Sequence, residues 1–199
     1  YTPFKKYSNS NSNNGLSSNV ISSITEDLNR NLWIGTEGEG LNYFDRKNNI
    51  YTHYKYNPNN KKSLSSNLVK AIIRDKKNRI WIGTHLGGLN LFNAENKTFT
   101  RFTNKKDDSS TIISDEITSI FEDSKSRFWV GTNGGLNTFN TETGKFIRNV
   151  IGDGNDAVQY IYEDTKQHIW VATSGGLYQL KNGSDVFIAR KADDAERLP

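Results

Sequence analysis

Four short stretches built on one pattern decide the fold of this chain: LWIGT at 32–36, IWIGT at 80–84, FWVGT at 128–132 and IWVAT at 169–173. Their tryptophans are spaced by 48, 48 and 41 residues, at Trp33, Trp81, Trp129 and Trp170. Ile stands nine residues before every tryptophan, and Asp stands six residues before it. A Gly-Leu step follows each one. The chain therefore contains four copies of one unit.

Each unit predicts four short strands, which we call a, b, c and d. Strand a carries the Ile that recurs in every unit, and strand b carries the tryptophan. Strand c carries the Gly-Leu step (GLNYF at 40–44), and strand d carries an aromatic pair (IYTHY at 50–54). Short polar turns separate the strands, so the unit is an antiparallel meander. Strand b is apolar without alternation, which indicates that both faces of the sheet are covered. Four strands in about 40–50 residues predict a propeller blade.

The predicted fold class is all-β, a β-propeller with four-stranded antiparallel blades. Phe4 and Tyr7 match the strand d pair Phe99 and Phe102, so an orphan strand of a preceding blade is predicted at the N-terminus. The array is cut within the repeat and the chain has no Met, so we expect a fragment of a larger, seven-bladed propeller. The predicted segments are 1–15 (orphan strand and connection), 16–63, 64–111 and 112–154 (blades), 155–190 (degenerate blade) and 191–199 (connection to a next blade).

Composition narrows the function. There is no Cys, which excludes disulfides and Cys-ligated metals, and there is no run of 18 apolar residues that could span a membrane. The net charge is +4, but the lysines are scattered through turns beside Asp and Asn, so we expect no nucleic-acid or membrane contact by this segment. His53, His85 and His168 lack metal-ligand spacing, and no catalytic motif is present. We therefore expect no catalytic residue, no metal and no cofactor.

The polar residues that recur in every unit have structural interpretations. Each Asp before a tryptophan is expected to accept backbone N–H groups within the a–b turn. The tryptophans are expected in the core rather than in a stacking ladder for sugars or bases. The Thr after each strand b is expected to cap the b–c turn.

The b–c turns differ between units (EGEG, HLGG, NGG and SGG). In propellers these turns and the d–a connections emerge on one face, where ligands bind. Departures from the repeat on that face are therefore candidates for ligand contact, the alternative being ordinary solvated turn residues. The candidates are Glu37, Glu39, His85, Asn133 and Ser174 in the b–c turns, and Asn19, Lys62, Asn67 and Asp115 in the d–a connections.

The units follow the pattern I-x-E-D-x-x-x-x-[IL]-W-[IV]-G-T-x-x-G-G-L-N-x-F-[ND], which resembles the two-component regulator propeller repeat. Residues 24–45, 72–93 and 120–140 carry it almost in full, and Leu-Ser-Ser-Asn opens the units at 16–19 and 64–67. The fourth unit departs, with Ala172 in place of Gly and Tyr178 in place of Asn.

The resemblance implies the periplasmic sensor region of a hybrid two-component system anchored in the inner membrane. It implies an oligosaccharide ligand released from glycans, control of glycan-utilisation genes, a histidine kinase in the parent protein and a homodimer. It supplies no ligand residues. A propeller scaffold that binds proteins and no small molecule is the alternative; a propeller enzyme such as a lyase is less favoured, because it needs converging His and acidic residues.

Overall fold

A computed structural model describes residues 4–9, 14–154, 156–181 and 183–190. These residues form sixteen strands and no helix. In chain order the strands are β1 Ile21–Glu26, β2 Leu32–Thr36, β3 Leu41–Asp45, β4 Ile50–Tyr54, β5 Val69–Arg74, β6 Ile80–Thr84, β7 Gly88–Asn93, β8 Thr98–Phe102, β9 Ile117–Glu122, β10 Phe128–Thr132, β11 Gly135–Asn140, β12 Lys145–Asn149, β13 Val158–Glu163, β14 Ile169–Thr173, β15 Gly176–Leu180 and β16 Phe187–Arg190.

The strands form four sheets, and each sheet contains four strands that are consecutive in the chain. Pairing within the sheets is antiparallel, as in Trp33 opposite Tyr43 and Trp129 opposite Thr138. Each sheet is one blade with strands a to d in meander order. The predicted all-β propeller architecture is confirmed.

The contacts divide the chain into two compact units. The first contains residues 1–85 with 90–101 and holds most of the first two blades; the second contains 86–89 with 102–199 and holds the last two. In the first unit Trp33, Leu41, Val69 and Ile82 belong to one buried cluster. In the second unit a separate cluster includes Trp129, Val158 and Val171.

Glycine on strand b allows the two blades of each unit to approach closely. A Cβ placed on Gly35 would lie 2.5 Å from Cγ1 of Val69, on strand a of the following blade. In the second unit a Cβ on Gly131 would lie 2.5 Å from Cγ1 of Val158. Because no side chain fits there, the apolar faces meet without a gap, as the uninterrupted apolar run of strand b predicts.

The Asn of the Gly-Leu-Asn step is buried and fixes the connection that enters its own blade. Asn42 accepts from the backbone N–H of Ser17 (2.8 Å) and donates to its hydroxyl (2.9 Å). Asn90 holds Ser65 in the same way. The fourth blade lacks this Asn, and the hydroxyl of Tyr178 donates to Asp156 instead (3.0 Å).

The predicted roles of the recurring Asp and Thr are confirmed. Oδ1 of Asp75 and of Asp123 each accepts the backbone N–H of the residue four positions on, at 2.8 Å. Oγ1 of Thr36 donates to the carbonyl of Gly40 across the b–c turn (2.8 Å), and Thr132 does the same to Gly135 (2.8 Å). These bonds close the turns at both ends of strand b.

The predicted N-terminal strand is not formed over the described residues 4–8. A strand needs a neighbour for its ladder, and no described strand lies beside them. Tyr7 nevertheless packs on Phe44 with ring centroids 5.6 Å apart, much as Tyr54 packs on Phe92 at 5.2 Å. The predicted connection at 191–199 lies outside the described residues.

Candidate functional site

In the first unit, four of the predicted site residues lie around the start of β5. The backbone carbonyl of Asn67 accepts the N–H groups of Gly38 (3.1 Å) and Gly40 (2.9 Å), so it holds the turn that carries Glu37 and Glu39. Leu68 pairs with Glu37 and accepts the N–H of His85 (2.9 Å). The start of one strand a thus joins the b–c turn of its own blade to that of the preceding blade.

Two lysines neutralise the acidic residues of this edge. Nζ of Lys70, on β5, lies 2.9 Å from both carboxylate oxygens of Glu37. Nζ of Lys55 lies 2.5 Å from Oε2 of Glu39. About half of the Glu39 side chain and a third of the Glu37 side chain remain exposed. Such exposed pairs contribute about 1 kcal/mol or less to stability, so their carboxylates can exchange a lysine for another donor at low cost.

Three of the candidates each accept an equivalent hydrogen bond from the backbone. Oδ1 of Asn67 accepts the N–H of Tyr56 (2.7 Å), Oδ1 of Asn19 that of Asn9 (2.7 Å), and Oδ1 of Asp115 that of Asn104 (2.6 Å). Each bond ties the chain leaving strand d to the chain entering strand a. Burial raises the pKa of Asp115, and the Asn104 N–H partly offsets this. These side chains therefore brace the connection and leave less capacity for a ligand.

Lys62 lies elsewhere. Its carbonyl accepts the N–H of Phe99 at 2.8 Å. Phe99 lies near the start of β8, the outermost strand of the second blade. The connection runs along that outer edge before it turns in toward β5, which sequence spacing alone does not reveal. The structure does not bring Lys62 together with Glu37, Glu39, Asn67 and His85.

In the second unit the candidate turns are held in two separate places. Asn133 is bound to Glu116: its amide donates to the carboxylate, and its backbone N–H donates to the carbonyl of the same residue (3.1 Å). Ser174 exchanges two bonds with Ala157, donating its N–H (2.9 Å) and accepting at Oγ (3.1 Å). Each turn is thus fastened to the start of the strand a beside it.

Sequence reasoning missed Lys55, Lys70 and Glu116, which are partners of the candidates, and Asp156, which accepts from Thr173 and Tyr178 in the fourth unit. One signal for Lys70 was present: the corresponding positions in the other units are Ser22, Thr118 and Gln159, so a lysine there departs from the repeat. Asp156 is the fourth-unit counterpart of Asp115, and its carboxylate raises the pKa of Tyr178 by accepting the hydroxyl hydrogen bond.

Over the described residues, no three His, Asp or Glu side chains are grouped so that they could hold a metal ion. The same part of the chain has no helix able to cross a membrane. The b–c turns around Asn67 and Leu68, which we call the b–c edge, carry the partly exposed carboxylates of Glu37 and Glu39 and the ammonium groups of Lys55 and Lys70. Groups of this kind can form hydrogen bonds with a polar ligand.

Three segments of the chain, 15–38, 63–85 and 111–134, match the family described as two component regulator propeller. Each segment runs from the connection that enters a blade to its b–c turn. The chain thus carries the repeat of this family in its first three blades. No curated protein matches the chain.

The chain is similar to several solved structures that share its fold. For the extracellular domain of the hybrid two component system BT3049 from B. thetaiotaomicron the identity is 24% and the TM-score 0.66, with 88% of this chain and 30% of that one covered. For the corresponding domain of BT4673 from the same organism the values are 22% and 0.71, with 87% and 22% covered. Virginiamycin B lyase from Staphylococcus aureus is 15% identical with a TM-score of 0.64, covering 85% and 54%.

At these identities the likeness shows the fold alone. The chain spans less than a third of the length of the two hybrid-system domains.

Proposed function

We propose, for a chain built of two-component regulator propeller repeats, that it is part of the extracytoplasmic sensor of a hybrid two-component system. In this proposal the parent protein lies in the inner membrane, carries a histidine kinase and controls transcription of glycan-utilisation genes. The ligand is an oligosaccharide released from a glycan, bound in the periplasm. The matched repeats and the names of the two B. thetaiotaomicron structures support this role.

The observation that carries the proposal is the polar edge around Asn67 and Leu68. Glu37, Glu39 and His85 are departures from the repeat, and they lie together there with Lys55 and Lys70. Sugar hydroxyls are both donors and acceptors, and carboxylates and ammonium groups form strong charge-assisted hydrogen bonds with them.

Signalling requires that the ligand bind one conformational state more tightly than another. An oligosaccharide across this edge would contact turns from two successive blades. In the homodimer that we propose, such contacts would favour one packing of the propeller against its neighbour, and this packing would bias the kinase.

Calorimetric titration of the chain with a panel of oligosaccharides from plant and animal glycans tests the proposal. We expect heat from at least one sugar and a loss of it in the double variant E37Q/E39Q. Lys62→Ala is the matched control, since Lys62 lies on the outer edge and its replacement should leave binding unchanged. Absence of heat with every sugar, together with tight binding of a protein partner, would contradict the sensor proposal.

A second candidate is a scaffold that binds protein, and a specific surface favours it. Tyr160, Tyr162, Trp170, Ala172 and Leu177 line an apolar depression on the fourth blade. Tyr160 is 63% exposed and Tyr162 is 51% exposed. Large exposed apolar side chains of this kind mark interaction surfaces. Replacing both tyrosines with Ser would abolish partner binding under this alternative and leave sugar binding intact.

A further inference from the structure

One of the four a–b turns departs from the arrangement of the other three. In the second and third blades, the Asp that opens the turn accepts from the indole N–H of the tryptophan and from an arginine. Oδ2 of Asp75 accepts from Trp81 Nε1 (2.8 Å) and Arg79 Nε (2.6 Å). The arginine also lies over the indole, with its guanidinium carbon 5.3 Å from the ring centre. The fourth blade has His168 in that position, and it too pairs with its Asp, at 3.0 Å.

The first blade has neither side-chain donor. Asn31 stands where the other blades have Arg or His, and its amide donates to the hydroxyl of Tyr43 (2.8 Å). Nε1 of Trp33 is buried and has no partner among the described residues. Asp27 accepts turn bonds from the backbone N–H groups of Asn29 (2.8 Å) and Asn31 (2.9 Å), and a hydrogen bond from the hydroxyl of Tyr43. It is partly exposed, whereas Asp75 is buried at 2% exposure.

The partly exposed carboxylate of Asp27 lines a groove of about 680 Å³ within the first unit. Trp33, Tyr43, Tyr54 and Phe92 form an aromatic wall, with ring centroids of Trp33 and Phe92 4.7 Å apart. Polar side chains stand around the opening, among them Asn29, Asn78, Glu95 and Lys97. The groove lies beside the a–b and c–d turns, at the opposite strand ends from Glu37 and His85.

The composition of the groove matches the chemistry of a sugar ring. A pyranose has an apolar C–H face, which packs on aromatic rings, and a periphery of hydroxyls that need polar partners. In the other blades the equivalent carboxylate pairs with an arginine or a histidine, whereas Asp27 already accepts from a hydroxyl, that of Tyr43. A hydrogen bond from a sugar hydroxyl to this carboxylate would be strong because the acceptor is charged. A volume of several hundred Å³ is the size usual for small-molecule sites.

We propose that this groove is a second saccharide site, which takes a pyranose unit with one hydroxyl donating to Asp27 and its C–H face against Tyr43 and Phe92. The inference concerns a different surface from the b–c edge. It goes beyond the proposed function, and either site can fail while the other holds.

Amide and indole ¹H–¹⁵N spectra of the chain test the inference with methyl pyranosides of glucose, galactose, mannose and xylose at millimolar concentration. We expect at least one of them to shift the indole N–H signal of Trp33 and the amide signals of Asn29 and Asn78. The indole signals of Trp81 and Trp129, whose N–H groups are bonded to Asp, should stay in place. If no pyranoside moves the Trp33 signal, the inference is overturned, whatever happens at the b–c edge.

Two variants separate a bound sugar from a nonspecific effect. Asp27→Asn keeps the size of the side chain and should weaken binding about tenfold or more, as loss of a charge-assisted bond does. The double variant N31R/Y43L gives the first blade the residues of the second, so the arginine should cover Trp33 and occupy Asp27; its binding should be lost with the melting temperature unchanged or raised. A folded N31R/Y43L protein that binds as the parent does would refute the site. The E37Q/E39Q variant should bind the pyranoside normally.

Discussion

The indole Nε1 of Trp81 donates a 2.8 Å hydrogen bond to Oδ2 of Asp75, a residue only 2% exposed. The same carboxylate also holds Arg79 and closes the a–b turn through the Arg79 N–H. One side chain thus links the turn, the core tryptophan and a surface cation. Its loss would leave a buried N–H and a partly buried guanidinium without their acceptor.

We predict that Asp75→Ala lowers the free energy of unfolding by about 3 kcal/mol, because it breaks the ion pair between a buried carboxylate and a partly buried guanidinium and removes the acceptor of a buried N–H. Urea denaturation followed by tryptophan fluorescence measures the change. Asp27→Ala is the matched control, since Asp27 lacks both side-chain donors. It should cost about 1 kcal/mol, the loss of its turn bonds. Equal costs for the two variants would mean that the Trp and Arg bonds contribute nothing.

Close blade packing supplies a second prediction. Gly131→Ala places a methyl group where Val158 already lies, and we expect it to destabilise the second unit by about 1–3 kcal/mol through overpacking. Thermal or urea unfolding measures the loss. Val158→Ala alone should also destabilise, by leaving a cavity.

The double variant G131A/V158A is the decisive control. It should be more stable than the sum of the two single effects predicts, because the new methyl group fills part of the space that Val158 leaves. Strict additivity would show that the two positions do not contact one another.

How much of this could be predicted depends on which contacts repeat. The Trp register, the turn Asp and the capping Thr recur in every unit, so their roles could be inferred from the pattern. The partners of Glu37 and Glu39 could not, because Lys70 and Lys55 reach them through packing of successive blades and through a turn. Lys62 was misplaced because the path of a long connection is set by what it packs against, here strand β8.

The groove beside Asp27 was missed for a related reason. The sequence has the same Asp and Trp in all four units, so it suggests the same bonds in each. The difference comes from the residue two positions before the tryptophan. The first unit has Asn31 there, and its amide is too short to reach over the indole. The other units have Arg79, Arg127 and His168. Only the arrangement of side chains reveals that one Asp of the four accepts from a tyrosine hydroxyl where the others accept from an arginine or a histidine.

Asp164, in the a–b turn of the fourth blade, makes the stability of the fold depend on pH. Burial alone would raise the pKa of Asp164, but hydrogen bonds from Trp170 Nε1 and from His168 outweigh it and lower the pKa to about 2. The folded state thus binds this proton less readily than the unfolded chain, whose Asp pKa is about 3.9. The stability that Asp164 provides is present above about pH 4 and is lost as the pH falls toward about 2.

We therefore expect the stability difference between the parent protein and Asp164→Asn to shrink as the pH falls from about 4 to about 2. Urea midpoints across this range measure it. Asp115→Asn provides a control of opposite sign, since burial raises the pKa of Asp115 and its protonation favours the folded state. A difference for Asp164→Asn that does not change with pH would contradict the role of its hydrogen bonds.

The bond from Tyr178 to Asp156, which replaces the buried Asn of the other blades, gives the last prediction. Asp156 accepts the hydrogen bond of the Tyr178 hydroxyl and so raises the pKa of Tyr178. The reason is that a deprotonated Tyr178 would lose this bond and lie beside a negative carboxylate. Asp156→Asn removes the negative charge, so the pKa of Tyr178 should fall toward its usual value. The ¹³Cζ signals of labelled tyrosines, with Tyr178 assigned from Tyr178→Phe, follow this titration. Asp153→Asn should cause a smaller fall, since Asp153 acts on Tyr178 only through its charge; an unchanged or higher pKa in Asp156→Asn would mean that the pair does not form in solution.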